Sequence, residues 1–325
     1  MIDTPFCERF GIDHPVGNAG MAGGTAGPAL AAAVSEAGGL GGLGGIDRRG
    51  PEYLRGLIRD VRERTGRPFS VNLWAFVLAG GGAGFLDVCL QERVPSVTLS
   101  FGDASPYVEA AHGAGVRVLY QAQTVEGARR AAAAGVDAII AQGGEAGGHT
   151  GTIATMALVP ACVDVASDIP VLAAGGIADG RGLAAGLALG AQGAILGTRF
   201  VCAVEATPPA LQHQERIIAA TADDTVYTDV FDIIDGLRWP EGISGRTVRT
   251  EFAAAWHGRE DELRRERDRI LASSTVPGEP PPEAHSAYAG QSAGLVHDVR
   301  PAGEIVRSLV AEAEREIERL SRLRR

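Results

Sequence analysis

A single histidine lies in a glycine-rich segment that directly follows an apolar run. The run covers residues 138–141, and the segment after it reads Gln-Gly-Gly-Glu-Ala-Gly-Gly-His-Thr-Gly over residues 142–151. Glycine adopts backbone conformations closed to other residues and lets a ligand approach the main chain. Imidazole exchanges protons near neutral pH. The segment therefore predicts a general base beside a flat ligand, with His149 as the catalytic residue.

Two other roles are possible for a histidine at position 149, that of a structural loop residue and that of a metal ligand. The seven histidines are scattered, and no second histidine, cysteine or paired carboxylate stands at ligand spacing around it. We therefore predict no metal site. Glu145, four residues earlier, could orient the imidazole ring or cap a backbone turn, and the sequence leaves both roles open.

Two later apolar runs also end in glycine turns. They read Leu-Ala-Ala-Gly-Gly-Ile over residues 172–177 and Ile-Leu-Gly-Thr-Arg over residues 195–199. Backbone amides at such turns, and at the helix starts that follow them, bind phosphate groups. Three glycine loops that each follow a strand-like run predict one shared pocket.

Three carboxamide side chains stand at or near the ends of apolar runs. They are Asn72, Gln121 and Gln142. Buried amides need hydrogen-bond partners, and a ring of amides around one pocket suits a neutral hydrogen-bonding ring system such as an isoalloxazine. The alternative for Asn72 is an Asx turn.

The apolar runs and the segments between them predict the architecture. Helical patterns cover residues 28–37, 51–64, 84–92, 106–112, 124–134, 155–166, 180–189 and 303–323, and eight strand-like runs cover residues 16–19, 39–43, 69–73, 96–101, 116–121, 138–142, 170–174 and 193–197. Strands that alternate with single helices pair in parallel through right-handed crossovers. Eight such units predict a closed α/β fold, a (β/α)8 TIM barrel, with its chemistry at the carboxyl ends of the strands.

The pattern is interrupted after the eighth strand. We predict that residues 1–205 and 290–325 form the barrel and that residues 206–289 form a mostly helical insertion, or lid, over the active-site mouth. The insertion contains a charged helical pattern over residues 259–271.

The composition excludes several functions. The chain carries a formal charge of -10, which disfavours a nucleic-acid-binding surface, and all 30 basic residues are arginine, which excludes lysine Schiff bases and a P-loop lysine. Glycine, proline and Asn72 interrupt the long uncharged stretches, so we predict no membrane span. The four cysteines are far apart, and no leader pattern begins the chain. We therefore expect reduced, mostly buried thiols and a cytoplasmic protein, with a homodimer as one option.

The motifs described above resemble those of the nitronate monooxygenase family, formerly called 2-nitropropane dioxygenases. The resemblance spans nearly the whole chain, and the motif at residues 142–149 is its most specific part. The other matching segments are His14-Pro15, Gly20-Met21-Ala22-Gly23, Val71-Asn72-Leu73, and residues 173–182, 197–200, 230–232, 239–240 and 289–294.

The resemblance implies a TIM barrel that binds FMN, with His149 as the base. The residues it implies for the flavin and its ribityl chain are Gly20, Met21, Ala22, Asn72, Gln121, Gln142 and Gly147. Gly148 and Ala174 complete the predicted cofactor site, and Gly175, Gly176, Gly197 and Thr198 are expected to hold the FMN phosphate through backbone amides.

The activity that the resemblance implies is the oxidative denitrification of alkyl nitronates, and of nitroalkanes as further candidates, with O2 to carbonyl compounds and nitrite. An NAD(P)H-dependent FMN oxidoreductase acting on a quinone or an enoyl thioester is the alternative. A related NADH:quinone reductase group has lysine where this chain has Gln121, and this difference argues against a quinone as the substrate. A flavin- or nucleotide-binding sensor without turnover is the candidate from another class, and His149 in the pocket argues against it.

Overall fold

Eight parallel strands form the centre of the computed structural model, which describes residues 2–207, 210–274, 276 and 280–323. Each of the eight coincides with a predicted apolar run to within about two residues. They are β1 Val16–Asn18, β2 Gly41–Gly44, β3 Phe69–Trp74, β4 Ser96–Ser100, β5 Arg117–Ala122, β6 Ala138–Gln142, β8 Val171–Ala174 and β9 Ala194–Leu196, whereas β7 Gly148–Thr150, β10 Thr225–Thr228 and β11 Ser244–Val248 form a separate sheet.

The helices alternate with these strands, and several begin at predicted signals. Proline occupies the first turn of α2, α3 and α6, and the Thr124 side chain accepts a hydrogen bond from Gly127 N at 3.0 Å as the N-cap of α7. The helices are α1 Pro5–Phe10, α2 Pro28–Glu36, α3 Pro51–Arg64, α4 Ala75–Val77, α5 Ala83–Gln91, α6 Ser105–Gly113, α7 Val125–Ala134, α8 Thr155–Val165, α9 Gly180–Ala188, α10 Thr198–Val201, α11 Ala210–Ala219, α12 Val230–Asp235, α13 Glu251–Trp256, α14 Glu260–Ala272 and α15 Ala302–Ser321, with a π-helical turn Leu78–Gly82 and 3₁₀ turns Ala222–Asp224, Pro282–Ala284 and Gln291–Leu295.

The strands close into a barrel. Their spatial order is β1-β9-β8-β6-β5-β4-β3-β2. A parallel bridge between Gly17 and Leu40 joins the two ends of this order, and Leu40 N donates to Val16 O at 2.9 Å. The predicted (β/α)8 barrel is confirmed.

Hydrophobic packing closes one end of the barrel and completes its wall. Phe6 and Phe10 of α1 pack against buried interior residues that include Leu119 and Leu172. Helix α15 packs between α9 and α2 and supplies the eighth helix of the wall. The opposite end, which contains the carboxyl ends of the strands, is where barrels of this type have their active sites.

The insertion contains two antiparallel strands in addition to the predicted helices. Strands β10 and β11 pair antiparallel, and β11 pairs in turn with the short strand β7, which places His149 opposite Gly245. A small hydrophobic cluster that includes Val226, Phe231, Phe252 and Leu263 lies within this segment. The division at residues 206–289 stays a prediction, and residues 208, 209, 275 and 277–279 of it lie outside the described part.

The cysteines and the helix lengths test two further expectations from the sequence. All four cysteines are free and buried, as predicted. No helix in the described ranges is long and apolar enough to cross a bilayer.

Candidate functional site

A cluster of side-chain amides ties the histidine loop to the barrel. Gln142 Oε1, at the end of β6, accepts hydrogen bonds from Gln121 Nε2 at 3.0 Å and from Gln123 Nε2 at 2.9 Å. Gln142 Nε2 then donates to the main-chain oxygen of His149 at 3.1 Å. Two of the predicted amides are therefore in direct contact, and Gln123 is a third member that the sequence analysis did not single out.

Asn72 lies further round the barrel mouth, in β3. Its side chain and the Ser100 hydroxyl of β4 are 3.3 Å apart, a long contact that leaves hydrogen-bonding capacity for a ligand. This contact runs between two strands, so the Asx-turn alternative is wrong. A pocket of about 20 Å³ inside the barrel is lined by Gly20, Asn72 and Gln121 together with apolar residues such as Ile195.

The segment after β1 lies against the ends of the neighbouring strands. A Cβ atom at Gly20 would lie 2.5 Å from Asn72 Cβ, so this glycine is required by close packing. A Cβ atom added at Gly197 would lie 3.9 Å from the Met21 sulfur. A Cβ atom added at Gly44 would lie 3.0 Å from Ala22 Cα. The segment therefore packs across the mouth between β2, β3 and β9.

Two glycine turns follow the adjacent strands β8 and β9 and present free backbone amides. Gly175 and Gly176 have φ angles of +96° and +76°, which only glycine adopts readily. The N–H groups of Gly175, Gly176 and Gly197 make no hydrogen bond within the described part of the chain. Unpaired amides at neighbouring strand ends form a cradle for an anion.

Three of the remaining predicted residues near this cradle, Thr198, Ala174 and Gly147, contact other parts of the protein. Thr198 Oγ1 accepts a hydrogen bond from Gly290 N at 2.9 Å, and the Ala174 oxygen accepts one from Gly143 N at 2.9 Å. A Cβ at Gly147 would lie 2.4 Å from Gly290 N, so packing of two loops explains that glycine. Nothing lies within 4 Å of a Cβ placed at Gly148, whose φ is +72°.

The arginine that follows the second turn does not face the cradle. Arg199 is 6% exposed, and its Nη1 lies 2.9 Å from Asp298 Oδ1. Its Nη2 donates to the carbonyls of Cys202 and Asp298. The Arg199 guanidinium is therefore engaged by Asp298 and Cys202, and the free hydrogen-bond donors at the cradle are main-chain amides.

His149 forms a buried pair with a carboxylate of the insertion. Its Nε2 lies 2.9 Å from Oδ1 and 3.1 Å from Oδ2 of Asp232, and the two side chains are 9% and 8% exposed. Trp239 Nε1 donates to the same Oδ1 at 3.1 Å. The Trp239 ring also stacks on the imidazole, with centroids 3.5 Å apart and planes at 14°.

Aromatic side chains enclose this pair. Phe101 meets the imidazole edge-on at 6.5 Å between centroids, and Tyr288 lies at 5.3 Å. Trp74 and Phe76 stack with each other and contact Trp239 at 4.9 and 5.2 Å. The histidine therefore lies in an apolar enclosure that excludes most water and can take an alkyl or ring group.

Tyr288 stays protonated in this enclosure. Burial raises the pKa of its phenol, and the nearby Asp232 carboxylate raises it further. Its hydroxyl therefore brings no negative charge to the site at physiological pH.

The hydrogen bonds of Glu145 distinguish between the two roles that the sequence leaves open for it. Its carboxylate accepts hydrogen bonds from Thr155 N at 2.8 Å and from Thr155 Oγ1 at 2.9 Å, at the start of α8. It caps a helix and does not contact the imidazole. A second cavity, of about 320 Å³, lies beside it and is lined by Arg246, Tyr227 and Gln291 among others.

The groups that the insertion contributes to the site were not predicted from the sequence. Asp232 and Trp239 fall in segments that stand out only by their resemblance to the family, and Asp232 is 83 residues from His149. Tyr288 directly precedes another such segment. A signal was available, because a carboxylate and a tryptophan occur together in a segment predicted to cover the mouth, but the pairing with His149 depends on the unpredicted sheet of β7, β10 and β11.

Comparison with known proteins agrees with this geometry. The family model described as nitronate monooxygenase matches residues 4–80 and 82–312. A putative monooxygenase of Mycobacterium tuberculosis is 37% identical over 282 residues, which cover 81% of this chain and 72% of that protein.

Two solved structures are similar over almost the whole chain. FabK from Thermotoga maritima has a TM-score of 0.86 and 36% identity, with 99% of each chain covered. Nitroalkane oxidase from Streptomyces ansochromogenes has a TM-score of 0.78 and 31% identity, with 97% of this chain and 99% of that one covered. The chain therefore belongs to the nitronate monooxygenase family and is a flavin-dependent oxidoreductase.

Proposed function

We propose that this enzyme uses FMN to convert alkyl nitronates, with O2, to carbonyl compounds and nitrite. One observation carries the proposal: the imidazole of His149 lies in an aromatic enclosure at the barrel mouth and is paired with a carboxylate on one ring nitrogen only. Such a group can take a proton from a carbon acid or hold the resulting anion.

The residues at the mouth suit FMN. The free amides of Gly175, Gly176 and Gly197 fit its phosphate, and the amides of Asn72 and Gln121 fit the polar edge of its ring. FMN, when bound, supplies the electron acceptor and the reaction with O2. The remaining predicted contacts, from Gly20, Met21, Ala22, Gln142, Gly147, Gly148, Ala174 and Thr198, are part of this proposal.

The chain's own residues handle the substrate. His149 accepts the proton next to the nitro group of a nitroalkane, or as an imidazolium it holds a nitronate that is already ionised. Trp74, Phe76 and Phe101 pack around the alkyl part and keep bulk water from the reacting carbon.

Nitrite release tests the proposal. Wild-type protein with FMN should release nitrite from an alkyl nitronate in the presence of O2. His149→Gln should lower turnover of the neutral nitroalkane by about 10²- to 10⁴-fold, the usual contribution of general acid–base catalysis, and that of the nitronate much less. His112→Gln is the matched control, because His112 forms a surface pair with Asp137. Unchanged turnover of the neutral nitroalkane by His149→Gln would show that His149 is not the base.

The second candidate is NAD(P)H-dependent reduction of an enoyl thioester or a quinone through FMN. The likeness to FabK over 99% of the chain favours it. Rapid bleaching of the flavin by NADPH without O2, together with no response to nitronate, would establish this candidate. O2 and a nitronate as the substrates, a cytoplasmic location and a homodimer stay predictions.

A further inference from the structure

The pairing of His149 with Asp232 leaves only one ring nitrogen open. Nε2 faces both carboxylate oxygens, at 2.9 and 3.1 Å. Nδ1 has no hydrogen-bond partner among the described residues, and it is not one of the fully enclosed ring nitrogens that lack a partner, which are Nδ1 of His14 and of His213. Nδ1 is therefore the nitrogen that a substrate can reach.

A carboxylate fixes the tautomer of an imidazole that it contacts. An ionised carboxylate only accepts hydrogen bonds, so Nε2 must carry the hydrogen when the His149 ring is neutral. The lone pair then lies on Nδ1. Trp239 holds the carboxylate in place, because its Nε1 donates to Oδ1 of Asp232 at 3.1 Å.

We propose that Asp232 is a positioning residue that makes Nδ1 of His149 the atom that accepts the proton of a neutral nitroalkane. The inference rests on the proposed function. A preformed nitronate needs no base, so the loss of Asp232 should slow the reaction of a neutral nitroalkane more than the reaction of its nitronate.

The step is a simple proton transfer. The C–H bond next to the nitro group breaks, the proton goes to Nδ1 of His149, and the electron pair stays on the substrate as the nitronate. Asp232 then balances the charge of the imidazolium, and the stacked Trp239 ring stabilises the cation further. In an enclosure this dry, an imidazolium without a counter-charge would form far less readily.

Few other groups near the imidazole titrate. Asp232 faces it from α12, and Tyr288 faces it from the segment before the 3₁₀ turn at Gln291–Leu295. Trp239 and Phe101 carry no charge. Asp235, on the same helix as Asp232, also interacts with Asp232 and Tyr288, and burial raises its pKa. A change in the pH profile of Asp232→Asn is therefore assigned to the His149–Asp232 pair only where Asp235→Asn does not show it.

The decisive experiment compares two substrates in one variant. In Asp232→Asn, kcat/KM for a neutral nitroalkane should fall by about 10²-fold or more relative to kcat/KM for its nitronate. Asp232→Glu should restore part of the ratio. Asp229→Asn is the control, because Asp229 begins the same helix without a side-chain cap and asparagine is equally good there. An equal loss for both substrates, or no loss, would overturn the proposal.

A second measurement does not depend on turnover. Long-range ¹H–¹⁵N spectra of histidine-labelled protein should show His149, assigned through His149→Gln, with the hydrogen on Nε2 in the wild type. Asp232→Asn should lose this preference or shift the signal. A wild-type ring with its hydrogen on Nδ1 would overturn the positioning role even in active enzyme. Absence of nitrite from nitronate with the expected tautomer would overturn the proposed function and leave the pair intact.

Discussion

Gln142 Nε2 donates a hydrogen bond to the main-chain oxygen of His149 at 3.1 Å. The same side chain accepts from Gln121 and Gln123, so one glutamine at the end of β6 connects the barrel to the strand that carries the imidazole. The position of the proposed base is thus set by a buried amide network as well as by the insertion.

Removing this amide should loosen the loop and lower stability. Gln142→Leu leaves the His149 oxygen and two glutamine amides without their partner, and each unsatisfied buried group costs about 1–3 kcal/mol. We expect the free energy of unfolding in urea to fall by about 2 kcal/mol or more. Gln91→Leu, on the surface, should change it by less than about 0.5 kcal/mol. Equal effects of the two variants would contradict the network.

The anion cradle predicts a change that depends on the phosphate of the cofactor. A Cβ at Gly197 would meet only Ala19 and Met21, each at 3.9 Å, so Gly197→Ala should fold normally. The added methyl group would take up space beside the free amide of residue 197, where the phosphate is expected to bind. The Kd for FMN should therefore rise about tenfold or more, a change of about 1.4 kcal/mol, while the Kd for riboflavin changes little.

Fluorescence titration of the apoprotein with each flavin measures both constants. Gly56→Ala, on an open face of α3, is the control and should leave both unchanged. Equal weakening of FMN and riboflavin would place the phosphate elsewhere.

Glu145 should act on stability and not on proton transfer. Its carboxylate caps α8 through Thr155, so Glu145→Gln should lower the free energy of unfolding by about 1 kcal/mol. The ratio of nitroalkane to nitronate turnover should stay the same. Glu126→Gln, on the exposed first turn of α7, is the comparison for a plain loss of charge. A selective loss of nitroalkane turnover would show that Glu145 orients the base.

The buried thiols predict a loss of stability at alkaline pH. Burial raises the pKa of Cys89 to about 12 and the pKa values of Cys162 and Cys202 to about 11, from 9.0. The native state thus keeps protons that the unfolded chain releases, so the stabilisation is complete below pH 9 and declines from pH 9 toward 11. The chain contains no lysine, so the other side chains that titrate in this window are mainly the tyrosines. Burial also raises the pKa of Tyr107, Tyr120 and Tyr288, so the contribution of the thiols is isolated by comparing variants.

Urea unfolding at several pH values checks this. Between pH 9 and 11, Cys162→Ala should show a shallower decline than the wild type, by up to about 1.4 kcal/mol per pH unit. Val159→Ala, a buried change on the same helix, should lower stability but keep the wild-type slope. Parallel slopes in all three proteins would contradict the raised thiol pKa.

The barrel could be predicted from local pattern because each strand is a short apolar run bounded by glycine or proline. Asn72, Gln121 and Gln142 could be placed at one mouth because parallel strands finish at the same end. Their mutual contacts, such as Gln123 with Gln142, depend on side-chain directions that the pattern does not specify.

The insertion could not be predicted in the same detail. Strand β7 is three residues of a glycine-rich run, and it becomes a strand only by pairing with β11, about one hundred residues later. Asp232 reaches His149 through that pairing and through a helix of six residues. Contacts at such sequence separation leave no periodic signal in either segment.

If a nitronate reduces the flavin of this enzyme, the visible spectrum of the protein must change when the two are mixed. Purified protein loaded with FMN is mixed without O2 with an alkyl nitronate and, separately, with NADPH. We expect nitronate alone to diminish the oxidised flavin band, and nitrite to appear when O2 is admitted. A band that nitronate leaves unchanged and NADPH bleaches rapidly would contradict this expectation.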